Sequence, residues 1–236
     1  MRIRKKAWAQ PELDSSDFYI QKPQEYKGKW REKFKKIAPI YLELGCGKGF
    51  FASEFGVRHK NVNLLAIDIK SEILALAKRE IESVYEKHSE KIDNILLTAQ
   101  NIEQITDILD KEDKVERIYI NFCNPWPKPK HKKRRLTHIR QLEKYKSFLK
   151  ENSEIFFKTD DDLLFKESKN YFEESGFDII WETHDLHTKS WGENIETEHE
   201  KMYLQKGVKI KALIAKLKAG EPISDSPGSG LALLLR

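Results

Sequence analysis

A glycine-rich turn directly follows a short β-rich run, and this pairing restricts the possible folds more than any other feature. Residues 40–44 form an apolar run of strand length, and Gly45-Cys46-Gly47-Lys48-Gly49 follows at once. Glycines let the backbone turn tightly and approach a ligand, and a following helix N-terminus offers free N–H groups. The GxGxG spacing differs from the GxGxxG of dinucleotide-binding proteins. It predicts a strand-turn-helix unit that binds a nucleotide-like molecule, with an unliganded tight turn as the alternative.

Apolar runs of strand length alternate with amphipathic runs of helix length along most of the chain. The predicted strands are residues 40–44, 64–69, 95–98, 118–122 and 155–158, and the predicted helices are residues 71–88, 102–109, 136–149 and 161–175. Such alternation gives right-handed units and a mostly parallel, twisted sheet that is covered by helices on both faces. Residues 178–181 and a candidate strand near 202–204 are expected to add an antiparallel edge. The prediction is an α/β fold with about seven strands.

The composition is that of a globular protein whose charge is unevenly distributed. Of the 236 residues, 39% are hydrophobic and 34% charged, and no apolar run is long enough to cross a membrane. The net charge is +5, and Lys and Arg are concentrated in the first forty residues and again between Lys128 and Arg140. This distribution favours a polyanionic partner, although either cluster alone would suit an ordinary solvated surface.

The chain is predicted to have three parts. Residues 1–36 form a basic, partly flexible N-terminal arm, residues 37–217 form the main domain, and residues 218–236 form a disordered tail rich in Gly, Ser and Pro. No signal peptide is visible, and Cys46 and Cys123 are too few for a disulfide framework, so a cytoplasmic protein with reduced thiols is expected. Both a monomer and a homodimer stay open.

Two acidic residues narrow the choice of ligand for the glycine turn. Glu43 precedes the turn, and Asp68 ends the second predicted strand, where a carboxylate can accept hydrogen bonds from ribose hydroxyls. A carboxylate at position 43 would repel pyrophosphate but suits the positively charged methionine portion of S-adenosylmethionine. The pair therefore favours S-adenosylmethionine over NAD. Asn101, beyond the third strand, is placed to read the adenine, and capping of a helix is an equal alternative for it.

The fourth predicted strand leads into a segment that we call the signature loop, Asn121-Phe122-Cys123-Asn124-Pro125-Trp126-Pro127-Lys128. Ligands of open α/β sheets bind at the carboxyl ends of the strands, so Asn124 is expected to face the transferred methyl group. A cationic run follows at Lys130, Lys132, Lys133, Arg134 and Arg135. Beside a methyl-donor site, this run indicates contacts with nucleic-acid phosphates.

Together these motifs resemble the bacterial tRNA (guanine-N7)-methyltransferase family over nearly the whole chain up to about Ala215. Residues 121–136 are similar to the family's Asn-Phe-x-Asp-Pro-Trp-Pro-Lys signature and the basic run that trails it. Residues 1–9, 26–30, 157–160 and 197–200 are similar to further family segments. The resemblance implies a Rossmann-like class I methyltransferase fold. It also implies methyl transfer from S-adenosylmethionine to N7 of a guanine in the variable loop of tRNA.

The resemblance assigns roles to individual residues as well. It implies a donor site at Glu43, Gly45, Gly47, Gly49, Asp68, Asn101 and Asn124, and a target-nucleotide site at Lys128, Asp160, Thr197, Glu198, His199 and Glu200. A carboxylate at Asp160 or Glu200 suits the N1–H and the exocyclic amine of guanine, with helix capping and a solvated turn as the respective alternatives. The arm residues Arg2, Arg4, Lys5, Lys6 and Trp8 are expected to become ordered around tRNA.

Two positions depart from the family pattern, since Asn124 replaces an Asp and His199 replaces a Tyr. Guanine N7 carries a lone pair and has no proton to lose. In-line attack on the sulfonium methyl therefore needs orientation and a favourable field but no general base. Asn124, the candidate catalytic residue, is compatible with this chemistry, and we expect activity to survive.

Parts of the sequence suggest three other functions. The sequence Asn124-Pro125-Trp126-Pro127 is close to the Asn-Pro-Pro-aromatic motif of enzymes that methylate exocyclic amines, adenine N6 or cytosine N4. Asn124 is also compatible with a non-catalytic tRNA-binding module. His184-Asp185-x-His187 and Asp160-Asp161-Asp162 offer metal-ligand types, but neither supplies a complete ligand set, so no metal is expected.

Overall fold

The computed structural model describes residues 6–220 and contains an eight-stranded mixed sheet. The strands are β1 (Tyr19–Ile20), β2 (Ile40–Leu44), β3 (Asn63–Asp68), β4 (Ile95–Ala99), β5 (Val115–Asn121), β6 (Leu149–Thr159), β7 (Phe177–Thr183) and β8 (Lys211–Leu217). Their order across the sheet is β1-β4-β3-β2-β5-β6-β8-β7. Every pair from β1 to β6 is parallel, and β8 runs antiparallel to both of its neighbours.

Five of the seven α-helices of the described chain form two groups. The seven are α1 (Ala9–Asp14), α2 (Trp30–Lys33), α3 (Phe50–Arg58), α4 (Ser71–Lys87), α5 (Ile139–Lys146), α6 (Asp162–Glu174) and α7 (Glu198–Gln205), with 3-10 helices at Pro23–Tyr26, Ile102–Asp107 and Pro129–Arg134. Both α1 and α3 pack against α4, whereas α5 packs against α6. The chain winds outward from β2 to β4 and then returns through β5 to β6. Right-handed crossovers in opposite directions place the two groups on opposite faces of the sheet.

The predicted α/β fold with a mostly parallel sheet is confirmed, with eight strands instead of about seven. The candidate strand near residues 202–204 is wrong, because these residues lie in α7. That helix begins with a reciprocal capping box between Thr197 and Glu200, which is a helix start signal. The antiparallel strand is β8, and it lies inside the sheet between β6 and β7. Its side chains are almost all buried, as expected for a strand with neighbours on both sides.

Part of the predicted N-terminal arm packs on the main domain. Strand β1 extends the sheet beyond β4, and Glu12 on α1 accepts two hydrogen bonds of 2.6 Å from the Arg79 guanidinium. Trp30 is fully buried, and its indole N–H donates to the Ile108 carbonyl oxygen at 2.7 Å. The boundary near residue 37 stays a prediction. Arg2, Arg4 and Lys5 lie outside the described residues, as does the predicted tail from residue 221 onward. Within residues 6–220, no helix combines the length and hydropathy needed to span a bilayer.

Candidate active site

The glycine turn connects β2 to α3 in a conformation that requires glycine at its last position. Gly49 caps α3 with a φ of +81°, and a Cβ there would lie 2.9 Å from both Cα and Cβ of Ala77. The turn is held to β3 because the backbone N–H groups of Gly45 and Cys46 both donate to the Ile67 carbonyl oxygen, at 2.8 and 3.0 Å. By contrast, a Cβ at Gly45 or Gly47 would meet no atom of the described chain within 4 Å. The turn therefore borders open space on one side and packs tightly against α4 on the other.

Asp68 links the end of β3 to the glycine turn. Its Oδ2 accepts a hydrogen bond from the Gly47 N–H at 3.1 Å, and its Oδ1 accepts one from the Lys70 N–H at 3.2 Å. Burial raises the pKa of Asp68, against the effect of these two hydrogen bonds. Each carboxylate oxygen has a second lone pair, so the side chain supports the turn and can still accept a hydrogen bond from a ligand.

Glu43 is buried at the end of β2, and one of its carboxylate oxygens has no hydrogen-bond partner in the described chain. Its Oε1 accepts a hydrogen bond from the Asn121 side-chain amide at 3.3 Å, whereas its Oε2 has no hydrogen-bond partner in the described chain. Burial raises the pKa of Glu43 to about 8, although the Asn121 hydrogen bond and the charge of Lys158 act in the opposite direction. A buried carboxylate that lacks a partner is costly. The side chain is therefore suited to a ligand that brings a cation.

A cavity of about 650 Å³ opens in front of Glu43. Six of the predicted site residues line it, namely Glu43, Gly45, Gly47, Thr197, Glu198 and His199. The cavity is completed by residues that the sequence did not single out as ligand contacts, namely Cys46, Lys48, Phe50, Phe51, Ile73, Asn121, Phe122 and Met202. Asn121 could have been found, since it ends the strand that neighbours Glu43 in the sheet order. The cavity thus joins the glycine turn, the start of α3 and the start of α7.

The N-terminus of α7 forms the wall opposite the glycine turn. Glu198 pairs with Lys48 of the turn at 3.2 Å, so an ion pair crosses between the two walls at the surface. The His199 ring stacks on Phe122 with 5.6 Å between ring centroids. Tyr203 stacks on the same Phe122 ring at 6.1 Å. This side of the cavity is therefore a short stack of aromatic rings.

Glu200 does not face the cavity, which corrects its predicted role in reading guanine. Its side chain is fully buried, and its Oε2 pairs with Lys158 at 2.6 Å. Asn194 donates to the Oε1 at 2.8 Å, and the Thr197 N–H donates to the Oε2 at 3.1 Å. All of these contacts hold the start of α7 against β6. Lys158 of β6, 42 positions earlier in the chain, neutralises the Glu200 carboxylate. Glu200 is therefore a structural residue.

Asn124 takes part in the turn of the signature loop. The Asn124 Oδ1 accepts a hydrogen bond from the Trp126 N–H at 3.0 Å, and the exposed side chain does not line the cavity. Phe122 and Trp126 both have positive φ angles, +54° and +42°, which are uncommon for bulky residues. Local strain of this kind persists only where the surroundings enforce it. Arg135 holds the loop in place through a hydrogen bond to its backbone.

Arg135 is buried, which corrects its prediction as a phosphate contact. Only 1% of its side chain is exposed, its Nε donates to the Pro125 carbonyl oxygen at 2.6 Å, and its Nη1 pairs with Glu167. Lys132 pairs with the other oxygen of Glu167. Two of the five predicted cations therefore fix the loop to α6.

The remaining cations of the run lie at the surface. Arg134 is exposed, pairs with Glu103 at 3.5 Å and lies 4.9 Å from the Trp126 ring centroid. Lys130 and Lys133 are exposed, and neither has an ion-pair partner among residues 6–220. Three predicted contacts therefore stay available for phosphates.

Three further predicted residues lie outside the cavity wall. Asn101 caps the 3-10 helix at Ile102–Asp107, because its Oδ1 accepts a hydrogen bond from the Glu103 N–H at 3.0 Å. Lys128 is exposed at the end of the signature loop. Asp160 is half-buried. Burial, and then a hydrogen bond to the Asp160 carboxylate, raise the pKa of Tyr203. The residue that caps the N-terminus of α6 is the neighbouring Asp161.

The sheet order, the glycine turn and the cavity in front of Glu43 are those of a Rossmann-like methyltransferase of class I. A family model described as "Putative methyltransferase" matches residues 37–213. Among solved structures, the 16S rRNA methyltransferase KamB is similar in fold, with a TM-score of 0.58 and 10% identity over 80% of this chain and 92% of that one.

Relatives of known name specify the family. The chain is 60% identical over 215 residues to a tRNA (guanine-N(7)-)-methyltransferase of Clostridium beijerinckii, covering 91% of this chain and 98% of that protein. It is 51% identical over 218 residues to a protein of the same name from Acetivibrio thermocellus, covering 92% of this chain and all of that protein. The chain belongs to the tRNA (guanine-N7)-methyltransferase family.

Proposed function

We propose that the chain transfers the methyl group of S-adenosylmethionine to N7 of a guanine in tRNA. The observation that carries this proposal is the buried Glu43 carboxylate, whose Oε2 is unmatched in the wall of the cavity. An unsatisfied buried polar group costs about 1–3 kcal/mol, and the ammonium group of the donor's methionine portion would satisfy it. Family membership supports both the reaction and the class of acceptor.

The residues present suit this donor. Glu43 would bind its ammonium group, and Asp68 would accept a hydrogen bond from a ribose hydroxyl while it holds the turn. The open space beside Gly45 and Gly47 gives the donor a close approach to the backbone. When bound, S-adenosylmethionine supplies an electrophilic sulfonium methyl group. Asn101 is proposed to contact the adenine through its amide N–H groups, since its oxygen is engaged as a cap.

The acceptor needs orientation from the protein and no general base. Guanine N7 already has a lone pair, so the residues around the cavity serve to align it with the donor. The stacked rings of Phe122 and His199 offer an aromatic surface for a base. Lys128, Asp160, Thr197 and Glu198 are proposed to contact the target nucleotide. The two free cysteines suit a reducing compartment, and we place this activity in the cytoplasm.

Asn124 is proposed to be compatible with activity. Its oxygen accepts the Trp126 N–H, and an Asp oxygen could accept the same hydrogen bond. The change from the family's Asp therefore preserves the shape of the signature loop and alters its charge. An Asn124→Asp variant should keep the same product and the same loop.

The test is methylation of bulk unmodified tRNA with a labelled donor, followed by mass spectrometry of the nucleosides. We expect N7-methylguanosine, and a Glu43→Gln variant should produce far less of it. Formation of N6-methyladenosine or N4-methylcytidine instead would overturn the proposed acceptor. The absence of any product, together with calorimetry that detects no binding of S-adenosylmethionine, would indicate a tRNA-binding module without activity.

A further inference from the structure

A second, smaller cleft lies between the 3-10 helices at Ile102–Asp107 and Pro129–Arg134 and helix α5. Its volume is about 200 Å³. The cleft is lined by three cations (Lys133, Arg140 and Lys144), three amide side chains (Asn101, Gln104 and Gln141) and one carboxylate (Glu103). We call this site the α5 cleft. Asn101 follows β4, so the cleft opens at the same carboxyl edge of the sheet as the donor cavity.

The positive charge of the α5 cleft is poorly compensated. Lys133 and Arg140 are exposed and form no ion pair within residues 6–220, and Lys144 donates to the Glu103 backbone carbonyl rather than to a carboxylate. The one carboxylate, Glu103, is paired with Arg134 at 3.5 Å. A concave surface with unmatched charge of one sign focuses the field and attracts an anion.

The position of Arg140 adds to this argument. Arg140 is the second residue of α5, whose N-terminus carries partial positive charge. The N-cap His138 accepts the Arg140 N–H through its Nδ1 at 3.1 Å. Burial and then the charges of Lys133, Arg135 and Arg140 lower the pKa of His138. A cation at this end of a helix is unfavourable on its own, and an anion held in the cleft removes the conflict.

We infer that the α5 cleft binds backbone phosphate of the tRNA whose guanine is methylated. This inference rests on the proposed function and changes the predicted set of phosphate contacts. Lys132 and Arg135 form ion pairs with Glu167. In the revised set of phosphate contacts, Arg140 and Lys144 replace these two residues, and Lys133 is retained. The cleft and the cavity would then hold two parts of one RNA on the same edge of the sheet.

The experiment compares two variants that lose the same charge. Lys133→Gln Arg140→Gln removes two cations from the α5 cleft, and Lys87→Gln Lys111→Gln removes two exposed cations from the opposite edge, at the end of α4 and before β5. Binding of unmodified tRNA is measured by fluorescence anisotropy across a range of KCl concentrations. Thermal unfolding and calorimetry with S-adenosylmethionine check the fold and the donor site of both variants.

The cleft variant should bind tRNA about tenfold more weakly at physiological salt, and the slope of log affinity against log salt should fall by about 2. The control variant should retain the slope and most of the affinity, and both should bind the donor as the unchanged protein does. Equal effects of the two variants, or an unchanged slope in the cleft variant, would overturn the inference.

Failure of the proposed function would look different. If the unchanged protein binds tRNA through the cleft but makes no N7-methylguanosine, the cleft stands and the proposed reaction fails. If the unchanged protein makes N7-methylguanosine and the cleft variant binds tRNA normally, the reaction stands and the cleft inference fails. If the unchanged protein does not bind tRNA, both fail.

Discussion

Replacing Lys158 by methionine removes the cation that holds the start of α7 against the sheet. The Lys158 Nζ donates to Glu200 at 2.6 Å, to Asn194 at 3.1 Å and to the Ile195 carbonyl oxygen at 3.0 Å. The side chains of Lys158 and Glu200 are 1% and 0% exposed. Burial lowers the pKa of Lys158, and the Glu200 carboxylate opposes that effect by favouring the charged form. The substitution leaves Glu200 buried without its counter-ion.

The expected cost is large because both charged side chains of the pair are buried. Removing one partner of a buried pair costs about 3–5 kcal/mol. For a chain of this size, about 2–4 °C of Tm is lost per kcal/mol, so Lys158→Met should lower the Tm by roughly 6–20 °C. A second variant, Lys158→Met Glu200→Gln, removes both charges and keeps a side chain that can complete the capping box. It should recover most of the lost stability.

The measurement is thermal unfolding by circular dichroism, with coincidence of near- and far-ultraviolet signals as the check on two-state behaviour. Lys22→Met is the matched control, because it breaks an exposed pair with Glu25. Such pairs contribute about 0–1 kcal/mol. A Tm for Lys158→Met within the range of this control would refute the reasoning. So would a double variant that is no more stable than the single one, because the unpaired charge would then not be the cause.

Three further substitutions test other parts of the site. Gly49→Ala should destabilise the protein by about 2–4 kcal/mol in denaturant unfolding, because the costs of a positive φ and of steric overlap add. Gly207→Ala is the control, because Gly207 also has a positive φ but no close neighbour, and it should cost about 1 kcal/mol. Since the pKa of Glu43 rises from 4.5 to about 8, the native carboxyl contributes stability that is fully present below pH 4.5 and is lost as the pH rises through 8. In the absence of S-adenosylmethionine, the Glu43→Gln variant should therefore be more stable than the unchanged protein in thermal unfolding at pH 9. In calorimetry, the variant should bind S-adenosylmethionine more weakly. A lower stability of the variant at pH 9 would contradict the argument from burial. Arg135→Met should loosen the signature loop and lower the Tm by more than Arg134→Met, and equal losses would show that Arg135 does not support the loop.

The local features of the site could be predicted from the sequence. The first strand, the glycine turn and the long helix at residues 71–87 follow from hydrophobic periodicity and from glycine placement, which depend on neighbouring residues alone. Glu43 and Asp68 were found in the same way, because each lies at a strand end beside the turn. The apolar residues 202–204 by themselves favour a strand, whereas the capping box of Thr197 and Glu200 begins a helix that includes them.

The partners of the charged residues were decided by the tertiary structure. Glu200 meets Lys158 across 42 positions of sequence, and Arg135 meets Glu167 across 32, so no local pattern marks either residue as buried. The sequence by itself determined where the glycine turn lies and which residue types surround it. Only the fold decided which carboxylate stays unmatched in the cavity and which cations stay free for phosphates. The physical reason is that the charge of a side chain depends on the residue alone. Its desolvation and its counter-ion depend on strands and helices that are distant in the chain.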